Sequence, residues 1–143
     1  MDHPLTLTVP SDPRMLSVAR AFVEAACHIA ELDKSGLHAV VLAAGEAFTN
    51  VIRHAHHDRP HAPIQIQCWV RAGALEVQVH DEGEPFDLSA VPHLNPGELR
   101  IGGRGVYLMR TLMDELTTFQ RTRGGNTLRM VKYLQPLSVR DCG

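Results

Sequence analysis

Residues 37 to 56 constrain the fold more than any other stretch of this chain. They read as one helix crowded with apolar side chains: Val40, Val41, Leu42, Ala43, Ala44, Ala47, Phe48, Val51 and Ile52. A run this apolar belongs in a core. Yet Glu46, Asn50 and His54 recur along it at i, i+4 and i+8. At about 100° per residue those positions drift only ~80° around a helix, so the three polar groups share one stripe. A carboxylate and a carboxamide in such surroundings need a reason, because burying unpaired polar groups is costly. A Glu one turn before an Asn can hold a base beside a metal–phosphate ligand.

The elements around that helix follow from periodicity. Leu5-Thr-Leu7-Thr-Val9 alternates as a short strand and is stopped by Pro10-Ser11-Asp12-Pro13, where Ser or Asp can cap and Pro suits a first turn. Apolar positions at three- and four-residue spacing from Arg14 to Leu32 predict an amphipathic helix, broken by Asp33-Lys34-Ser35-Gly36. The second helix runs from about Gly36 to His56. His57 to Pro63 carries two prolines and reads as a loop. Ile64, Ile66, Cys68 and Val70, then Leu75, Val77 and Val79, alternate with polar residues across Ala72-Gly73-Ala74, a hairpin of half-buried strands.

Asp81 to Arg104 has little periodicity, and a loop of that length in a compact domain is often functional. A third helix is expected from about Gly105 to Leu116, then a closing hairpin of Thr117–Arg123 and Asn126–Leu134 around Gly124-Gly125. The order β-α-α-β-β-loop-α-β-β predicts an α/β sandwich of the α+β class, a mostly antiparallel mixed sheet with helices on one face.

At 143 residues one domain over 1–143 is expected, with a core at about 5–135. A net charge of −2 offers no basic stripe, so direct nucleic-acid binding is not expected. Cys27, Cys68 and Cys142 fit no metal or redox spacing; the first two read as small core residues and the third lies in the tail. The start Met1-Asp2-His3-Pro4 lacks a charged region followed by an apolar one, and no apolar run approaches the ~18 residues of a membrane span. The expectation is a cytoplasmic protein with no membrane partner.

Three further motifs carry possible chemistry. Asp81-Glu82-Gly83 follows a strand, which suits a carboxylate accepting a hydrogen bond while Gly83 lets the chain pass close to a flat ligand; an ordinary turn looks the same. Gly102-Gly103-Arg104-Gly105 precedes a helix, where glycines let backbone amides approach an anion at the positive helix end; a hinge would also use them. Gly125-Asn126-Thr127 opens the last strand, and Thr127 has a hydroxyl to offer. A zinc site from His54, His57 and His61 is disfavoured, because the prolines interrupt it and no Cys or His-Glu-x-x-His frame supports it. The His-rich loop reads as solvated, and His3, His28, His38, His80 and His93 are scattered.

Together, in this order and at these separations, the motifs resemble the N, G1 and G2 boxes of the GHKL ATPase and kinase superfamily, with its Bergerat ATP-binding fold. The match is nearer to bacterial anti-sigma factor serine/threonine kinases of partner-switching pathways. Glu46-Ala-Phe-Thr-Asn50-Val-Ile-Arg-His54-Ala resembles their N box, Asp81-Glu-Gly-Glu-Pro-Phe-Asp87 their G1 variant, and Gly102-Gly-Arg-Gly105-Val-Tyr-Leu-Met their G2 helix. Gly125-Asn-Thr-Leu-Arg-Met is similar to their final strand, and the resemblance spans roughly residues 5 to 135.

That resemblance implies ATP and Mg²⁺ as cofactors and assigns roles. Asn50 would bind Mg²⁺, Asp81 would accept from the adenine amino group, Gly83 would allow close approach, and Thr127 would support the adenine side. Gly102, Gly103 and Gly105 would cradle phosphate within a lid spanning about 84–104. Arg104 departs from the apolar residue expected there and would face phosphate or water. Glu46 would be the base for the attacking hydroxyl, while Arg53 and His54 receive no chemistry. The implied partners are a STAS-domain anti-anti-sigma protein, a sigma factor and a second copy of the chain as a homodimer. The alternatives are an ATP-binding module that sequesters a partner without phosphoryl transfer, and a switch kinase that activates a phosphatase.

Overall fold

The computed structural model describes residues 2–85 and 103–134, at 103 and 104 by their backbone alone. Five strands form one sheet: β1 (Leu5–Pro10), β2 (Pro63–Arg71), β3 (Ala74–His80), β4 (Glu115–Gln120) and β5 (Asn126–Tyr133), in the order β1-β2-β3-β5-β4. Every pairing is antiparallel, so the expected mixed sheet is corrected to a purely antiparallel one among the described residues. The reason is connectivity: β2–β3 and β4–β5 are hairpins, and each strand brought beside them arrives reversed.

Among the described residues three α-helices cover one face: α1 (Leu16–Ile29), α2 (Lys34–Asn50) and α3 (Gly103–Leu112). Asp12 caps a 3-10 turn at Pro13–Met15, its carboxylate accepting from the Arg14 amide at 2.9 Å. Asp33 ends no helix; it caps α2, accepting from Gly36 N–H at 2.7 Å. Glu31 closes α1 in the left-handed region (φ 60°), with Leu32 N–H reaching Cys27 O at 3.1 Å.

Strand alternation sorts the sheet. Ile64, Ile66, Cys68, Leu75, Val77 and Met130 are fully buried against the helices, where they meet Val23, Ala43 and Phe48. Cys27 and Cys68 lie in this core as expected, and burial pushes both thiols up to about 12. Cys142 lies outside the described residues. On the opposite face Glu76 is held by Arg129 at 3.1 Å and Arg71 at 3.8 Å.

Three boundaries differ from the periodicity. The second helix is α-helical only to Asn50; Val51–Ala55 is a π-helical turn closed by His56 N–H to Val51 O at 2.8 Å. The third helix stops at Leu112, and β4 begins at Glu115. Leu116 fits a helical period of 3.6, but it pairs with Met130 in the sheet. Lys34–Ala55, 22 residues containing an 18-residue stretch of mean hydropathy 1.2, is long and apolar enough to cross a membrane by length and composition alone, contrary to the sequence expectation. Half of that stretch is buried inside the fold, as befits a central core helix.

Candidate functional site

The last turn of α2 meets the first turn of α3. A β-carbon built on Gly105 would lie 3.0 Å from Glu46 Oε2 and 3.1 and 3.3 Å from the two polar ends of Asn50. Glu46 and Asn50 thus converge on the bare face of one glycine, as i, i+4 neighbours about 6 Å apart do. Both are half-buried. Gly103, Arg104 and Gly105 form the opening turn of α3, whose first amides have no partners within the helix and lie at its positive end. A carboxylate, a carboxamide and the first amides of α3 share one gap, which a glycine leaves open.

Beside that gap is a cavity of about 220 Å³ between α2, α3 and the sheet. Its walls are mostly apolar, among them Ala47, Val51, Val79, Val106, Met109 and Leu128, with Asn50, Asp81 and Asn126 as polar points. Asp81, one residue past β3, is buried. Its Oδ1 accepts from Gly83 N–H at 2.8 Å, from Asn126 N–H at 3.2 Å and from Asn126 Nδ2 at 3.1 Å. Among the described residues no donor meets Oδ2. One oxygen fixes the turn and the other is left to accept from a ligand. An apolar slot with a single buried acceptor suits a flat base carrying an exocyclic amine.

Asn126 is a site residue that the sequence reading passed over in favour of Thr127. It stands opposite Asp81, whose backbone N–H donates to Asn126 O at 2.9 Å, and its Nδ2 also donates to Glu84 O at 2.7 Å. Thr127 is next along β5 and therefore faces the other side of the sheet. There its Oγ1 lies 2.7 Å from His80 Nδ1, and His80 Nε2 lies 2.8 Å from Gln67 Oε1. Gln67 can only accept at that oxygen, so His80 donates from Nε2 and receives the Thr127 hydroxyl proton at Nδ1. The expected reach of Thr127 toward the base is corrected: its hydroxyl is committed on the far face. His80, dismissed as scattered, is what holds it.

Gly83 has a different reason from the one expected. A β-carbon there would meet Ala55 Cβ and the Ala55 carbonyl oxygen, each at 2.5 Å. The glycine lets the turn pack on the π segment and is not part of the cavity wall. Gly125 is also required, with φ +91° and a β-carbon position 1.9 Å from Asp81 O. Gly102, most of the segment 84–104 expected to form a lid, and the Arg104 side chain lie outside the described residues.

The His-rich segment is not uniformly solvated. His54, His57 and His61 are exposed, and His54 touches the cavity rim, but His56 is buried at 2 % exposure. Its Nδ1 lies 2.8 Å from Ser11 Oγ, and its Nε2 accepts from Glu82 N–H at 2.9 Å. The π turn rotates it inward, which an α-helical phase does not anticipate. Among the described residues no three His, Cys, Asp or Glu side chains converge on a metal position.

A model of the histidine kinase-like ATPase domain family matches residues 9–132. A serine-protein kinase RsbW of Bacillus subtilis is 30% identical over 138 residues, covering 91% of this chain and 85% of that one. The SiaB–SiaC complex from Pseudomonas aeruginosa contains a chain of the same fold, with a TM-score of 0.67 at 17% identity over 89% of this chain and 88% of that one. The RsbU and RsbW domains of Rv1364c from Mycobacterium tuberculosis give a TM-score of 0.66 at 20% identity, over 92% of this chain but 32% of that longer one.

Proposed function

This chain belongs to the histidine kinase-like ATPase domain family, and from that membership we propose that it is an ATP-dependent anti-sigma protein serine/threonine kinase. Its phosphoryl acceptor is a STAS-type anti-anti-sigma protein, and it sequesters a sigma factor while the acceptor is phosphorylated. The protein acts in the cytoplasm, as one domain, paired with a second copy of itself. The observation that carries this reading is the convergence of Glu46 and Asn50 on the bare α-carbon of Gly105.

The cavity takes the adenine, with Asp81 Oδ2 accepting from its amino group and Asn126 holding Oδ1 in place. The phosphates then run along the opening turn of α3, where the amides of Gly103, Arg104 and Gly105 meet them at the positive helix end. Asn50 fits a magnesium ligand at that point, and the ion, when bound, neutralises charge on the phosphates. Glu46 faces the same gap from one turn earlier, placed to take the proton of an attacking hydroxyl. Phosphoryl transfer asks for positioning and charge neutralisation more than covalent help, and these four elements supply both. Phosphate on the acceptor adds about −1.5 to −2 charges at the interface, enough to reverse partner choice.

Incubation with γ-labelled ATP, Mg²⁺ and STAS proteins encoded nearby tests this. Label on a serine or threonine of one of them is expected, and Asn50→Ala removes it. ATP binding without transfer to any partner would leave a sequestering module instead.

A further inference from the structure

We propose that His56 is a positioning residue for nucleotide binding: through a single neutral tautomer it pins the Glu82 amide, and with it the Asp81 turn, to the end of the N-box helix. The inference rests on the nucleotide reading of the Asp81 cavity.

The tautomer is fixed by its partners. Glu82 N–H is a donor and points at Nε2, 2.9 Å away, so Nε2 carries the lone pair. The proton is then on Nδ1 and is donated to Ser11 Oγ at 2.8 Å. Ser11 is itself buried and anchored, its N–H donating to Ala62 O at 3.0 Å. One ring therefore ties three segments together: the residue after β1, the π turn after α2, and the turn that reads the nucleotide. Glu82 follows Asp81 directly, and Gly83 beyond it packs on Ala55, the neighbour of His56. Losing the ring would leave this side of the turn, opposite Asn126, to the Arg59 guanidinium that donates to Glu82 O and to the packing of Gly83 on Ala55.

Adding a proton has a defined consequence. At Nε2 it places a donor against a donor and breaks the contact with Glu82 N–H. The groups facing His56 are Asp58 and Arg59 on the loop that follows it, and Asp81 and Glu82 on the turn. Burial is the dominant influence and holds the imidazole below its ordinary value, against the opposing pull of Asp81. The pin is intact at neutral pH and fails on acidification.

The test measures the affinity of the full chain for mant-ATP with Mg²⁺ between pH 5 and pH 8, for wild type, His56→Gln and His56→Leu. Glutamine keeps an acceptor for Glu82 N–H but cannot titrate; leucine keeps neither property. The account expects roughly tenfold weaker binding by His56→Leu at pH 8, the scale of one lost buried hydrogen bond, and near wild-type binding by His56→Gln. It also expects wild type to lose affinity on acidification from pH 8 to pH 5 more steeply than His56→Gln, which controls for titration of the nucleotide and of other histidines. Should His56→Leu fail to fold, the comparison of wild type with His56→Gln decides alone. Equal acid limbs in those two proteins overturn the role of His56 while leaving the nucleotide site standing. Absence of mant-ATP binding by wild type overturns the nucleotide reading, and this role falls with it.

Discussion

Gly105 of α3 lies against Glu46 of α2 so closely that a β-carbon on it would sit 3.0 Å from Glu46 Oε2. The contact is with the far ends of Glu46 and Asn50, and not with backbone. A methyl group there would be accommodated by moving the two side chains to which the proposed function assigns the base and the magnesium ligand.

Gly105→Ala is therefore expected to separate folding from function. Helix propensity favours alanine by roughly 0.5–1 kcal/mol, so the melting temperature should hold or rise. Phosphoryl transfer should fall at least about tenfold, since ångström-scale misplacement of positioning groups is enough for that. Thermal melts beside transfer assays check both halves.

Gly83→Ala and Gly125→Ala should do the reverse. Their β-carbons would strike backbone, Ala55 O at 2.5 Å and Asp81 O at 1.9 Å, and Gly125 also has φ +91°. Each is expected to cost about 3 kcal/mol or more from overlap and backbone strain. That corresponds to roughly 10 °C in melting temperature for a domain of this size. An unchanged melt for Gly125→Ala would contradict the described turn.

Asp81→Asn should leave the fold intact and change what the cavity reads. An amide can keep Oδ1 on Gly83 and Asn126 while its NH₂ turns into the cavity, where it opposes the adenine amine donor to donor. ATP affinity should drop about ten- to hundredfold, the worth of a charge-assisted hydrogen bond. The preference for ATP over GTP should narrow, because an amide NH₂ can donate to a guanine carbonyl. Competition binding with the two nucleotides measures this directly.

Stability should decline on acidification through two buried rings. His56 and His80 each use a ring nitrogen as an acceptor, and burial lowers the pKa of both from 6.5. The unfolded chain therefore binds more protons than the folded one in this window, so stability rises with pH there. It is fully present above the unfolded value near 6.5 and is lost as pH falls below it. Melts from pH 8 to pH 5 should show the decline, and a His56→Gln, His80→Gln double variant should show a shallower one.

Much of this was legible in the sequence, for reasons that also mark where legibility stops. Strands β2 and β3 alternate cleanly, so their buried faces follow from period two. Glu46, Asn50, Asp81 and Gly105 could be picked out by type, order and spacing, and the fold brings the first, second and fourth onto one gap. The face on which Thr127 lies depends on the register between β3 and β5, which spacing along the chain does not encode. His56 was hidden by the π turn, which changes the helical phase just where an i, i+4 argument is extended. Leu116 satisfies both periodicities, and its pairing with Met130 decides for the strand. The Asn126 signal was present, an Asn opening a strand after two glycines, but its partner is 45 residues away.

The central claim is that Glu46 takes the hydroxyl proton beside a nucleotide held by other residues. Glu46→Gln preserves size and shape and removes the base, so single-turnover transfer from γ-labelled ATP to the STAS acceptor tests it most directly. The account predicts ATP affinity within about threefold of wild type and transfer slowed by roughly 10²- to 10⁴-fold, the usual contribution of a general base. Transfer at the wild-type rate by Glu46→Gln would contradict it.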